Sequence, residues 1–357
     1  MSKFHALEVS DIRAEADDCV SVAFNVPEAL QADFKYTQGQ HISLKAMLDG
    51  EDVRRSYSIC VSVADDELRV AVRHVDGGRM SGYINNELKV GDKLEVFPPA
   101  GHFYVELDAS STRTYVAFAG GSGITPIMSI IKTTLESEPD SKFLLFYANR
   151  TPNSTVFRQA LSRMKNKFMQ RFSFFHFLSD ELQEFEFFNG FITADKVKEI
   201  LKTIVPDGRA DHYFICGPGT MIDDISGALK DSGVDGDNIH FELFSTDEKA
   251  EVNKPTDKKS SKKPSDCHIT ITLDGVEKSF DYVPSDGSVL DAAAKTGADV
   301  PFSCKGGVCC TCRAKLLEGE VEMAVNYGLE PDEVAAGYVL TCQSTPLTKK
   351  LVLNYDK

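Results

Sequence analysis

Four cysteines in the last quarter of the chain constrain its fold more than any other feature. Cys304, Cys309 and Cys312 lie in the run P-F-S-C-K-G-G-V-C-C-T-C, and Cys342 follows in T-C-Q. This spacing, C-x4-C-x2-C with a distant fourth cysteine, is the plant-type pattern for a [2Fe–2S] cluster. Two irons and two bridging sulfides need four thiolates in one small volume, and the short spacings let a single tight loop supply three of them. Gly306 and Gly307 let the backbone close around a cluster and leave their N–H groups free to bond its sulfurs. Cys304, Cys309, Cys312 and Cys342 are therefore the expected metal ligands, and Cys310 is left as a spare small side chain. A structural zinc site in a non-redox binding module is the alternative use of such thiols. The spacing and the segments upstream speak against it.

A cluster of this kind moves one electron at a time, so the upstream sequence should hold an electron source. Residues 1–108 alternate apolar and polar side chains at strand period, as in His41-Ile42-Ser43-Leu44 and Lys93-Leu94-Glu95-Val96-Phe97. Turns at Asp49-Gly50, Asp76-Gly77-Gly78 and Pro98-Pro99 punctuate them. An antiparallel, six-stranded Greek-key β-barrel is expected there. From 109 to 245 apolar strands alternate with helical segments, which predicts an α/β domain with a parallel sheet covered on both faces. Residues 246–266 lose all apolar periodicity and are rich in Lys, Ser and Asp, as a flexible linker is. Residues 267–357 open on a hairpin turning at Asp274-Gly275 and carry the cysteine loop in a small α+β domain.

Two of these segments carry cofactor chemistry. In the barrel, Arg55-Ser56-Tyr57-Ser58 offers a guanidinium for phosphate, a ring to stack on a flat cofactor, and hydroxyls to bond it. Gly78-x-x-Ser81, at the opening of a short helix, can present backbone N–H groups to a pyrophosphate. Together they point to flavin. In the α/β domain, Gly120-Gly121-Ser122-Gly123-Ile124-Thr125-Pro126 joins a strand to a helix, and Cys216-Gly217-Pro218-Gly219 follows another strand. Two such loops converging on one sheet edge describe a dinucleotide site. Asn149-Arg150-Thr151 with Ser154 stands where a 2′-phosphate would be bound. No acidic residue is seen at that position in the sequence, so NADPH is expected over NADH.

Arg-x-Tyr-Ser, Gly-Gly-Ser-Gly-Ile-Thr-Pro and Cys-Gly-Pro-Gly, in this order, resemble the ferredoxin–NADP reductase-like flavoprotein superfamily. The C-terminal runs K-G-G-V-C-C-T-C and N-Y-G-L-E-P-D-E-V-A-A-G-Y-V-L-T-C-Q are similar to those of the reductase subunits of phenylacetyl-CoA epoxidases, with a β-grasp ferredoxin domain. The resemblance covers nearly the whole chain. It implies an electron route from NAD(P)H through FAD and the [2Fe–2S] cluster to a diiron oxygenase, with phenylacetyl-CoA ring epoxidation as the reaction served. Reductases of steroid or fatty-acyl hydroxylases share the domain order and are the alternative.

The resemblance also implies site residues. Arg55, Ser56, Tyr57 and Ser58 would hold the flavin, Val72 and Arg73 would offer it backbone contacts, and Gly78, Met80 and Ser81 would hold its pyrophosphate. Gly120, Gly121, Gly123, Thr125, Pro126, Arg150, Cys216, Gly217 and Pro218 would surround the nicotinamide nucleotide. Phe244 would cover the isoalloxazine ring where nicotinamide must enter. Ser58, Glu242 and Phe244 form the expected catalytic set at the hydride path.

Bulk properties fit this picture. A net charge of −15 argues against nucleic acid as a partner. The charge-poor stretch 114–131 is broken by glycines and a proline, so it reads as strand, loop and helix and no membrane partner is expected. Nine cysteines, five of them clustered and no signal peptide before them, suit a reducing cytoplasm. A protein that is monomeric when alone is expected.

Overall fold

The computed structural model describes residues 3–244 and 266–357. The expected linker at 246–266 thus lies, apart from Asp266, outside the described residues. Three main sheets and one two-stranded ribbon carry the described residues.

The first is built from β1 (His5–Ala16), β2 (Cys19–Asn25), β3 (His41–Leu48), β4 (Glu51–Ser58), β5 (Leu68–Arg73) and β6 (Lys93–Ala100). They pair antiparallel in the order β4-β3-β6-β1-β2-β5. An antiparallel bridge from Ile59 to Val70 joins the two outer strands and closes the barrel. Closure removes free edges, the standing liability of an antiparallel sheet. The alternation seen in the sequence sends Ile42, Leu44, Val70, Val72 and Val96 into a fully dry interior. Helix α1 (Arg79–Asn86) seals one end with Met80 and Ile84.

The second sheet is parallel. Its strands are β7 (Thr114–Gly120), β8 (Lys142–Asn149), β9 (Phe172–Leu178), β10 (His212–Cys216) and β11 (Ile239–Glu242), in the order β11-β10-β7-β8-β9. Helices α2 (Ile124–Ser137) and α3 (Arg158–Lys167) cover one face, and α4 (Ala194–Thr203) and α5 (Gly219–Asp231) the other. Strands buried on both faces must be apolar at every position, and Tyr115 to Ala119 are all 0% exposed. Phe118, Phe146 and Phe175 stack across three neighbouring strands at 5.3 and 5.1 Å.

The third sheet is the mixed β-grasp expected of a ferredoxin domain. It comprises β12 (Cys267–Leu273), β13 (Val276–Tyr282), β14 (Arg313–Glu318), β16 (Tyr338–Leu340) and β18 (Lys350–Asn354), in the order β13-β12-β18-β14-β16. Helix α6 (Val289–Lys295) packs its buried Val289, Leu290, Ala292 and Ala293 into the core of this sheet. Its start is fixed by a capping box between Ser288 and Asp291. A small ribbon of β15 (Val321–Met323) with β17 (Ser344–Pro346), and helix α7 (Pro331–Ala335), complete the unit. Among the described residues no helix is long and apolar enough to cross a membrane.

One buried carboxylate ties the connector that follows the barrel to the parallel-sheet unit. Glu138, 0% exposed at the end of α2, accepts from Tyr115 Oη at 2.9 Å, Ser141 Oγ at 2.6 Å and the Asp108 backbone at 3.0 Å. Replacing it by Leu takes the acceptor from the Tyr115 hydroxyl and the Asp108 N–H, while Ser141 Oγ keeps only the Ser111 carbonyl at 3.2 Å. The Glu138→Leu protein should lose about 3 kcal/mol of stability in denaturant unfolding followed by circular dichroism.

Candidate functional site

On β4 the strand period divides the expected flavin residues between two faces. Arg55 is exposed and Tyr57 half-buried on one face, with the Arg55 guanidinium turned back to the Arg54 carbonyl at 2.7 Å. Ser56 and Ser58 stand on the other face, opposite Ser43 and His41 of β3. The Ser56 hydroxyl donates to Ser303 Oγ at 2.9 Å, so it faces the ferredoxin domain. The Ser58 hydroxyl donates to Glu242 Oε2 at 3.3 Å. Burial pushes the Tyr57 phenol well above its ordinary value, so the ring meets its surroundings as a neutral, flat surface.

The turn before α1 is tight enough to demand glycine at 78. A Cβ there would stand 2.5 Å from Ser81 Oγ and 2.9 Å from the Val75 carbonyl. Ser81 Oγ accepts from Val75 N at 3.2 Å and donates to the Gly78 carbonyl at 3.2 Å. Met80 is buried beneath the helix start, and the Val72 carbonyl accepts from Asn85 Nδ2 at 3.1 Å. Arg73 does more than offer backbone. Its guanidinium pairs with Asp18 at 3.1 Å and donates to the Ser154 carbonyl, crossing from the barrel to the α/β domain.

The two glycine loops of the parallel sheet meet backbone to backbone. A Cβ on Gly123 would lie 2.1 Å from the Cys216 carbonyl oxygen, and one on Gly120 would lie 2.9 Å from Pro218 Cδ. A Cβ on Gly217 would lie 3.2 Å from the Gly120 backbone. Gly121 has φ +53°, which glycine adopts without penalty. Thr125 and Pro126 are buried in the first turn of α2, and the Thr125 hydroxyl donates to the Ser122 carbonyl at 3.0 Å. Cys216 is fully buried, and burial pushes its thiol well up, so it stays protonated. The loops lie beyond the carboxyl ends of β7 and β10, and the start of α2 adds the positive end of a helix.

At the end of β8, Arg150 is 81% exposed, and its Nε lies 2.8 Å from Asp180 Oδ2. The expectation that no acidic residue stands there is corrected by this contact. Asp180 lies two residues beyond the end of the neighbouring parallel strand β9, and its backbone N–H donates to the Arg150 carbonyl at 2.9 Å. Strand pairing therefore carries the carboxylate to the arginine across a sequence gap that local reading does not bridge. Hydrogen bonds from Ser179 and Arg150 hold the Asp180 carboxyl below its ordinary range.

Glu242 ends β11, mostly buried, and Phe244, 45% exposed, follows two residues on. One more residue joins Glu242 that sequence reasoning did not select. His41 of β3 is buried, with Nδ1 3.7 Å from Glu242 Oε1 and Nε2 2.9 Å from the Cys309 carbonyl. Nothing in a strand reading HISLK marks this histidine as different from any other.

The cysteine loop is bent by three left-handed residues, Lys305, Gly307 and Cys310, at φ +52°, +78° and +51°. The bends aim backbone donors at sulfur. Gly306 N lies 3.3 Å and Cys309 N 3.4 Å from Cys304 Sγ, and Cys304 N lies 3.4 Å from Cys309 Sγ. Gly307 N bonds the Cys342 sulfur in the same way. The thiols fall into two interacting pairs, Cys304 with Cys309 and Cys312 with Cys342. Two thiols for each of two irons, with N–H donors to the sulfurs, is a donor set that fits a [2Fe–2S] cluster. Cys310 turns away into the core of its own domain.

Comparison with known proteins agrees with this geometry. Three family profiles match: an oxidoreductase FAD-binding domain over residues 6–104, an oxidoreductase NAD-binding domain over 118–227, and a 2Fe-2S iron-sulfur cluster binding domain over 271–347. The chain is 43% identical to one of the subunits of 1,2-phenylacetyl-CoA epoxidase of Escherichia coli (strain K12), over 100% of this chain and 99% of that one. It is 32% identical to the ferredoxin reductase component of 3-ketosteroid-9-alpha-monooxygenase of Rhodococcus rhodochrous, over 98% and 96%. Phthalate dioxygenase reductase, solved as a modular structure for electron transfer from pyridine nucleotides to [2Fe–2S], shares the fold. Its TM-score is 0.58 at 24% identity, covering 98% of each chain.

The close packing of the glycine loops gives a direct check. Gly123→Ala should force them apart and cost roughly tenfold to a hundredfold in kcat/KM for NADPH in dye reduction. Bound flavin and iron, measured by absorbance and iron analysis, should remain at parental levels.

Proposed function

Because the chain belongs to the family of FAD-containing, iron–sulfur reductase components of oxygenase systems, we propose that it feeds electrons from NADPH to a diiron oxygenase that epoxidises the ring of phenylacetyl-CoA. The observation that carries this reading is the 43% identity, along the entire chain, to one of the subunits of such an epoxidase. When bound, FAD accepts a hydride from the nicotinamide and parts with electrons one at a time, and the [2Fe–2S] cluster takes single electrons.

The chain's own residues bind and orient. Arg55 supplies a cation for a flavin phosphate, and Tyr57 the flat ring beside it. Gly78, Met80 and Ser81 shape the start of α1 into a pyrophosphate seat, supported by the backbone of Val72 and Arg73. Gly120, Gly121, Gly123, Thr125 and Pro126 form one wall of the nicotinamide nucleotide site, and Cys216, Gly217 and Pro218 the other. Phe244 shields the place where nicotinamide enters. Ser58 and Glu242 present a hydroxyl and a carboxylate at the reacting edge, where the Ser58 O–H is already donated to the acid. Arg150 takes the 2′-phosphate, with Asp180 as its resting partner. The protein acts as a monomer until it meets the oxygenase.

Two measurements test the reading. With a purified phenylacetyl-CoA epoxidase diiron complex, NADPH oxidation should be coupled to epoxide formation. Coupling to a 3-ketosteroid hydroxylase instead would assign the chain to the other oxygenase. Cys309→Ser should keep NADPH-driven dye reduction at the flavin and lose reduction of one-electron protein acceptors. For the coenzyme, Asp180→Asn should raise kcat/KM for NADPH several-fold and leave that for NADH nearly unchanged, since only the 2′-phosphate meets the removed charge.

A further inference from the structure

The loop that carries the cysteines is fastened to one face of the β3–β4 pair by a ladder of polar contacts. Ser43 Oγ meets Thr311 Oγ1 at 3.0 Å, and Ser56 Oγ meets Ser303 Oγ at 2.9 Å. Arg54, 5% exposed and already paired with Asp52, donates to Asp299 Oδ1 at 2.8 Å and stacks its guanidinium over Phe302 at 4.2 Å. These rungs hold the loop to the barrel. The remaining rung, His41, reaches a third body as well.

The His41 ring is clamped by its surroundings. Gly101, at φ +106°, lies against it, and a Cβ there would stand 2.9 Å from Nδ1 and 3.0 Å from Cε1. A carbonyl oxygen only accepts, so the 2.9 Å contact from Nε2 to Cys309 is a bond in which Nε2–H donates. The other ring nitrogen faces Glu242, whose second oxygen is held by Ser58. One imidazole thus touches the backbone of an expected cluster ligand and the carboxylate at the expected hydride edge. The barrel, the parallel sheet and the ferredoxin domain meet at this buried ring.

We propose that His41 is a positioning residue for the passage of electrons from flavin to cluster. Its bond to the Cys309 carbonyl sets how closely the cysteine loop lies to the flavin edge, and Gly101 and Glu242 fix the ring that makes that bond. Electron transfer weakens steeply with distance, so loosening this one contact slows the internal transfer more than the hydride step that precedes it. The proposal rests on the electron route given above.

The test is anaerobic stopped-flow reduction of the holoprotein by NADPH, following flavin bleaching and the iron–sulfur band separately. His41→Leu should slow the cluster phase about tenfold, as loss of a buried hydrogen bond would, and slow flavin bleaching by clearly less. His41→Gln places an amide N–H at nearly the reach of Nε2 and should restore most of the cluster phase. Amide hydrogen exchange over residues 303–311 should speed up in His41→Leu and return towards the parental rate in His41→Gln. If His41→Leu does not retain its cofactors, His41→Asn, whose shorter amide falls short of the Cys309 carbonyl, takes its place with the same expectation. Parental cluster kinetics in the Leu or Asn variant, equal slowing of both phases, or unchanged exchange over 303–311 would overturn the proposal. Absence of any cluster phase in the parental protein would instead overturn the electron route on which it stands.

Discussion

A seam of polar side chains between β3–β4 and the cysteine loop is the interaction on which the rest of the arrangement depends. Three sheets, each with its own core, have no need to meet in one particular way. Apolar contact alone would let them slide, because burial of hydrocarbon is not directional. Hydrogen bonds add little net stability when made, about 1 kcal/mol each, but a buried donor left unpaired costs more than that. His41, Ser43, Arg54 and Ser56 therefore admit one register of the loop against the barrel. Val308 and Tyr327 add a smaller apolar contact with the core of the α/β domain.

The parallel sheet does the complementary work at its carboxyl ends. β7 and β10 deliver glycine loops whose backbones touch, β8 and β9 deliver Arg150 and Asp180, and β11 delivers Glu242 to the barrel. All five strands point the same way, so everything that follows them gathers on one edge. The glycines at 120, 123 and 217 serve close approach, since each Cβ would strike neighbouring atoms. Arg73 then bridges from the barrel to that same edge through the Ser154 carbonyl, giving the two nucleotide-binding units a shared wall.

What could be read from the sequence was whatever repeats at short range. The barrel strands follow from alternation, the parallel strands from unbroken apolar runs such as Tyr115 to Ala119, and α6 from Ser288 and Asp291 ahead of its apolar face. The cysteine loop was legible because its chemistry sits within nine residues. What was not legible is set by pairing over long distances. Asp180 reaches Arg150 only because β8 and β9 run in register. Ser56 turns to Ser303 because strand period puts it on the face opposite Tyr57. His41 meets Cys309 across 268 positions of chain, and no local pattern distinguishes it from His5 or His74.

The most direct test of the account is an anaerobic titration of the purified holoprotein with NADPH, followed by absorbance. One hydride fills the flavin and a further single electron fills the cluster, so both bands should bleach together to completion at about one and a half equivalents of NADPH. Completion at about one equivalent, with the flavin bleached and the iron–sulfur band untouched, would contradict an electron path that runs through the four cysteines.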